Sequence, residues 1–368
     1  MNAPVWVKHE NHTPTGAFKV RGGLVYAERL RSGRPGVKGI VSATRGNHGQ
    51  SLAFAGRAAG VGVTIVVPEG NSPDKNAAIR GFGAELIEHG RDYQSSRERA
   101  SELGAQRGLE TVPPFHPDLV LGVATYAREL FGTAGELDTV YVPVGMGSGI
   151  CGIIGVRDLL GLRTEVVGVV AAEAPATALS FEARRVITTE TSHTFVDGVA
   201  TRVPDPGAFA AIAAGAARVL AISEDDAAQA MRVLFATTHN APEPAGALAW
   251  PACSPSAPGR RASASPSSRP AGTRTPACCS RFSPGRPRRS DPPPFRLPVR
   301  AWPATGPRRT RVPGYPVARC VGVVPFGSSR SNPSGMCSLP GPVPRLPVMP
   351  YCQTSAPVAG SMATMRLL

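Results

Sequence analysis

The chain has 368 residues, room for two or three ordinary domains, and 42% of them are hydrophobic, enough for a sizeable core. Its formal charge of +14 is laid down unevenly: residues 251–368 hold 17 arginines, no lysine and one acid, 17 − 1 = +16, which leaves 23 basic and 25 acidic groups, or −2, before them. The basic excess therefore says nothing about partners of residues 1–250, for which neither nucleic acid nor an acidic surface is expected.

Cys151 is the only cysteine before residue 251, which excludes a disulfide framework there and fits a reduced, cytoplasmic compartment. No secretory leader and no apolar run of membrane-spanning length is evident, so no membrane partner is expected.

From residue 5 onward, β-branched runs alternate with longer segments of helical period. The pattern predicts strands over 5–8, 39–43, 63–67, 84–89, 110–112, 139–144 and 165–171. It predicts helices over 17–31, 48–60, 74–82, 93–107, 119–130 and 150–160. Strands separated by helices of this length need crossover connections, so the expected class is α/β: open, twisted, mostly parallel sheets with helices on both faces. Ligands in such folds sit beyond the carboxyl ends of the strands, where the turns after Ala43 and Val144 fall.

After Trp250 the pattern stops within what reads as a helix. Twenty-four of the 38 prolines and six of the seven cysteines follow it. Proline removes backbone donors and like-charged arginines repel, so the tail 251–368 is expected to be disordered. Arginine without lysine, together with proline, alanine, serine and glycine, is the composition of a GC-rich gene read in a shifted frame, and the tail is expected to be frameshifted translation. Nucleic-acid binding by the tail is the competing reading; the lack of interleaved aromatics and of a readout module weighs against it.

Three segments carry chemistry. Residues 10–23, ENHTPTGAFKVRGG, place Lys19 behind Phe18 at a helix start, where the positive end of the helix dipole favours a neutral, nucleophilic amine. Residues 42–50, SATRGNHGQ, join a strand to a helix and offer open amides to an anion such as a carboxylate. Residues 143–150, PVGMGSGI, form a glycine-rich strand-to-helix turn able to cradle a phosphate. Alone, each admits an ordinary reading: a solvated lysine, a turn with an Asn cap, a dinucleotide-binding turn.

Together, and in this order, the segments resemble the fold-type II pyridoxal-phosphate enzymes, the family of threonine and serine dehydratases and serine racemases. Further likeness lies in Val66-Val-Pro68, Arg80 to Ala84, Val112 to Phe115, Asp197-Gly198 and Glu243 to Gly246. The resemblance implies a tryptophan synthase beta-like fold, with a large cofactor domain of residues 1–38 and 117–250 and a small domain of 39–116. It implies pyridoxal 5'-phosphate on Lys19 as a Schiff base, Phe18 beside the ring, Asn47 on its phenolic oxygen, and Glu243 near its polar edge. Gly145, Met146, Gly147, Ser148 and Gly149 would hold the phosphate. Thr44, Arg45, Gly46, Asn47 and His48 would face a small hydroxy amino acid, and the expected reaction is β-elimination of water from L-threonine or L-serine, the product being hydrolysed to a 2-oxo acid and ammonia.

Arg45 stands where racemases carry a proton-shuttling serine, and a permanent cation cannot shuttle protons at neutral pH, so racemisation is disfavoured. A 3-hydroxyaspartate-type substrate, whose second carboxylate Arg45 could meet, is an alternative. Glu173 supplies only one carboxylate where racemases hold a divalent cation, so no metal is expected. The chain opens at its first strand, whereas relatives carry a helix over the site before it, and no Ser-Gly-Gly-like turn follows Trp250. An inactive family member is therefore a further alternative, and a folded chain is expected to self-associate.

Overall fold

The computed structural model describes residues 5–135, 137–253, 320–324 and 362–365, the last two as backbone strands. In chain order the elements are β1 (Val5–His9), α1 (Lys19–Gly33), β2 (Ile40–Ala43), α2 (Asn47–Ala59), β3 (Val63–Val67), α3 (Pro73–Gly81), β4 (Glu85–Glu88), α4 (Tyr93–Arg107) and β5 (Glu110–Thr111). There follow α5 (Pro117–Ala134), β6 (Thr139–Pro143), α6 (Ser148–Leu159), β7 (Glu165–Ala171), α7 (Ala176–Ala183), a 3-10 turn (Asp197–Val199), α8 (Pro206–Gly215), β8 (Arg218–Ile222) and α9 (Glu224–Thr238). Two short helices, α10 (Pro244–Ala247) and α11 (Ala249–Ala252), and the strands β9 (Cys320–Val324) and β10 (Met362–Met365) complete the description.

The strands build two sheets flanked by helices. One is four-stranded and parallel, in the order β4-β3-β2-β5; the other is six-stranded, in the order β10-β1-β9-β6-β7-β8, parallel except where β10 runs against β1. The side chains explain the parallel pairing: Val63–Val67 is buried along its whole length and Glu165–Ala171 along all but its first residue, as strands covered on both faces must be. β4, Glu-Leu-Ile-Glu, has exposed charges at both ends and takes an edge, where charge discourages further pairing.

The disorder expected of 251–368 falls outside the described residues, save for residues 251–253, which end α11 and its following turn instead of being disordered, and the two strands drawn into the larger sheet. There β9 lies between β1 and β6, and Val321 pairs in register with both Trp6 and Val140.

One core lies between α5, α6, α8 and the sheet strands β6 and β7, with Val120, Tyr126, Leu130, Val142, Ile150 and Val166 at its centre. A second joins α1 and α2 to the smaller sheet through Leu30, Ile40, Leu52, Ile65 and Ile79. Helix α1 belongs to both neighbourhoods. Its backbone meets that of α5 so closely that a Cβ on Gly122 would lie 2.1 Å from the Arg21 carbonyl oxygen. Both helices are thus fixed in position, and the start of α1, with Lys19, is fixed with them.

Among the described residues no helix is long and apolar enough to cross a membrane, and no group of three or more His, Cys, Asp or Glu side chains is placed to hold a metal ion.

Candidate active site

The carboxyl ends of β2 and β6 open on one cavity of about 1000 Å3 between the two sheets. Phe18 and Lys19, the 44–48 loop, residues 145–149 and Glu243 all line it, so the three segments singled out in the sequence meet in one place. Val203 and residues 190–195 from the loop after α7 line it as well.

Lys19 is the first residue of α1. Thr13 shapes the approach to it: its hydroxyl donates to the Ala17 carbonyl at 2.9 Å, and its own carbonyl accepts from the Gly16 amide at 2.9 Å. Ser51 of α2 donates to the Lys19 carbonyl at 2.6 Å, tying the lysine's backbone to the neighbouring helix. The amine lies 5.1 Å from the Phe18 ring centroid. Removal from water holds its pKa below the usual lysine range, against the opposing pull of Glu243. A lowered pKa makes it easier for the amine to take its neutral form, which is the nucleophile and proton acceptor.

Four helices start at this cavity without a side-chain cap: α1 behind Phe18, α2 behind Gly46, α6 behind Gly147 and the short α10 behind Glu243. Helices α3, α4, α5, α8 and α9 all begin with a capping Ser, Asp or His. The first amides of α2 and α6 are therefore left for an anion. Gly147 has φ 93°, a left-handed conformation that glycine adopts without strain. Gly145 is pressed against the 3-10 turn: a Cβ there would lie 2.6 Å from the Gly198 carbonyl oxygen. Tyr126 donates its hydroxyl to the Gly149 carbonyl at 2.9 Å, and Thr201 offers its hydroxyl to the Met146 sulfur at 3.9 Å. The turn is thus held from behind while its amides stay open.

On the opposite wall Asn47 donates Nδ2 to Glu243 Oε1 at 2.7 Å. Burial pushes the Glu243 carboxyl up to about 7 and Asp197 adds to this, while Lys75, Asn47 and Lys19 oppose it. Its Oε2 is buried without a hydrogen-bond partner. His48 is also buried, its Nε2 has no partner, and burial followed by the nearby Lys19 charge pulls its pKa down to about 3. A neutral imidazole and a protonatable carboxyl thus face the cavity with unused hydrogen-bonding capacity. Thr44 Oγ1 accepts from the Gly46 amide at 3.0 Å and shapes the loop, and Arg45 reaches solvent at the cavity wall.

The cavity also presents residues that the sequence pattern does not single out. Lys75 bonds Asp197 at 2.5 Å, whereas the sequence marks only the Asp197-Gly198 pair. No local pattern distinguishes Lys75 from any lysine in the first turn of a surface helix. Glu173 is exposed at the end of β7 and does not line the cavity.

A family profile described as "Pyridoxal-phosphate dependent enzyme" matches residues 1–264. The chain belongs to this family. Pyridoxal 5'-phosphate is the cofactor the family implies, and the site fits it: an amine of lowered pKa, an open-amide turn that added Cβ atoms would obstruct, and two buried polar atoms without partners share one cavity.

Among its relatives, the biosynthetic L-threonine dehydratase of Salmonella typhimurium is 32% identical over 246 residues, which are 67% of this chain and 48% of the relative. The L-threonine ammonia-lyase of Geobacter sulfurreducens is 31% identical over 67% of this chain and 62% of its own length. The L-threo-3-hydroxyaspartate ammonia-lyase of Saccharomyces cerevisiae is 30% identical over 68% and 77%. The chain spans about half the length of the biosynthetic dehydratases it matches. Of solved structures, the threonine deaminase of T.th. superposes with a TM-score of 0.62 at 33% identity, over 66% of this chain and 79% of that one. The processed threonine deaminase isoform 2 of Solanum lycopersicum gives a TM-score of 0.63 at 27% identity, over 66% and 71%. The chain is accordingly a threonine dehydratase-like member of the pyridoxal-phosphate enzymes.

Proposed function

We propose that this chain eliminates the β-hydroxyl of L-threonine or L-serine as water and releases an enamine that takes up water again, giving a 2-oxo acid and ammonia, with Lys19 as the catalytic residue. The reading is carried by the meeting, in one cavity, of a desolvated lysine amine and the uncapped helix starts behind Gly46 and Gly147. Pyridoxal 5'-phosphate, when bound, supplies an electron sink for charge developing at the substrate's α-carbon.

The remaining work falls to the protein. The amides of Gly145, Met146, Gly147, Ser148 and Gly149 would hold the phosphate, and Phe18 would pack beside the ring. Thr44, Gly46, Asn47 and His48 would hold the substrate carboxylate through the open start of α2, with the imidazole neutral because burial keeps it so. The Lys19 amine, its pKa lowered by burial and its backbone fixed by Ser51, would accept the α-proton on Nζ when in its neutral form. Glu243, with its pKa near neutrality, would hold or release a proton beside the ring, steadied by Asn47.

Arg45 favours a second reading. Its side chain is at the cavity wall, and a second substrate carboxylate would meet it there, as in a 3-hydroxyaspartate-type substrate.

The test has two arms. Protein loaded with the cofactor and reduced with borohydride should carry the label on the peptide containing Lys19, and Lys19→Ala should carry none. Ammonia release from L-threonine, L-serine and 3-hydroxyaspartate should then rank the substrates. A label mapped to another lysine would overturn the assignment; a labelled Lys19 with no turnover of any of the three would mark an inactive member.

A further inference from the structure

Lys75 links parts of the cavity that come from different sheets. It lies in the first turn of α3, beside the four-stranded sheet. Its Nζ is 2.5 Å from Asp197 Oδ2 and 3.9 Å from Glu243 Oε2, both from segments that follow the six-stranded sheet's β7. Its stem lies along the 44–48 loop, for a Cβ on Gly46 would be 2.5 Å from Lys75 Cδ. Asp197 opens the 3-10 turn, and the next residue, Gly198, puts its carbonyl oxygen against Gly145. One side chain therefore touches the loop at the start of α2 and, through a single ion pair, the segment that backs the glycine turn.

We propose that Lys75 is a positioning residue: its ion pair with Asp197 latches the 44–50 loop across the cavity to the segment behind residues 145–149. The pair suits a latch that opens. Lys75 is 16% exposed and Asp197 30%, so it is neither fully screened nor sealed from solvent. Water can replace either partner as the cavity opens, and Gly46 leaves the lysine stem room to lie flat over the loop.

The test compares Lys75→Met, Asp197→Asn, the double variant and Lys75→Arg in the full chain. Amide hydrogen exchange is read first, without substrate. Each single charge-removing variant should speed exchange in residues 44–50 and 197–199 together, by roughly three- to tenfold, and the double variant should add nothing further. Lys75→Arg, which keeps the charge, should stay close to the parent. Steady-state kinetics with the hydroxy amino acid turned over by the parent form the second arm, which rests on the function proposed above. KM should rise on the order of tenfold, the equivalent of about 1.4 kcal/mol, with kcat moving less. Additive effects, exchange raised only around residue 75, or a fall in kcat at constant KM would overturn the latch. Should Lys75→Met lose its fold, Asp197→Asn carries the exchange test alone. Exchange needs no turnover, so failure of the latch and failure of the proposed reaction are told apart.

Discussion

Glu10→Gln is the substitution that most directly tests the buried charge cluster joining the end of β1 to α1 and α5. Glu10 is fully buried and accepts from Lys8 Nζ at 2.7 Å, from Arg21 Nε at 2.8 Å and from Arg21 Nη2 at 3.1 Å. Lys8, also fully buried, has Glu129 as its second partner at 2.9 Å, and Arg21 bonds both Glu129 oxygens, at 2.7 and 2.9 Å. Two cations and two anions thus balance, and glutamine would keep the shape while leaving one net positive charge inside. Breaking a buried pair in this way costs on the order of 3–5 kcal/mol. The partial exposure of Glu129, 32%, places the expected loss toward the lower end. Against a typical domain stability of about 5–15 kcal/mol, that loss is large. Urea unfolding should show a lowered midpoint with an unchanged slope. Adding Lys8→Met to Glu10→Gln restores neutrality and should recover part of the loss. Arg80→Ala, which removes an exposed pair with Glu88, should cost less than about 1 kcal/mol. A Glu10→Gln variant within about 1 kcal/mol of the parent, or no recovery in the double variant, would refute the claim that this buried cluster contributes several kcal/mol to the fold.

Gly145→Ala should weaken cofactor binding at least about tenfold in a spectroscopic titration while the chain stays folded, because the new methyl meets the Gly198 carbonyl oxygen at 2.6 Å and must displace the turn. The Glu243 carboxyl is raised to about 7 from 4.5, so the folded state holds a proton that the unfolded chain has released. Its contribution to stability falls as pH rises from about 4.5 to about 7, and Glu243→Gln should make stability rise more steeply with pH across that window. His48 behaves oppositely: its pKa is lowered to about 3 from 6.5, so its contribution is complete above 6.5 and is lost as pH falls toward 3. His48→Gln should flatten that acid limb, as measured by denaturant midpoints from about pH 7 down to about pH 4.

The parts of the fold that rest on local pattern were legible. Residues 63–67, 93–107 and 165–171 take the expected elements at the expected bounds, because β-branched runs and a long polar-faced helix leave little choice. The sequence pattern starts α1 at 17 and the helix begins at Lys19, since Thr13 and Gly16 hold residues up to Ala17 in turns that periodicity does not register. Residues 176–238 show no element in the sequence pattern. α8, Pro-Gly-Ala-Phe-Ala-Ala-Ile-Ala-Ala-Gly, is apolar or small nearly throughout and so has no polar face to reveal its period. The place of β9 between β1 and β6 was equally hidden, because proline and arginine dominate the composition around it and the pairing spans most of the chain.

The site divides along the same line. Lys19, Asn47 and Gly145 to Gly149 sit at strand-to-helix turns, where backbone conformation writes glycine and small polar residues into the sequence. Lys75 and Asp197 are 122 positions apart and meet only because α3 and the 3-10 turn face each other across the cavity. Lys75 needs no special backbone conformation and leaves no local mark, and the Asp197-Gly198 pair that the sequence does mark says nothing of its partner. What such a pair contributes is a difference in energy between a closed and an open cavity, and that quantity depends on two surfaces at once. On the proposed reading, substitutions at Lys75 or Asp197 would change substrate binding without touching the amine at Lys19, and the exchange and KM measurements separate the two effects.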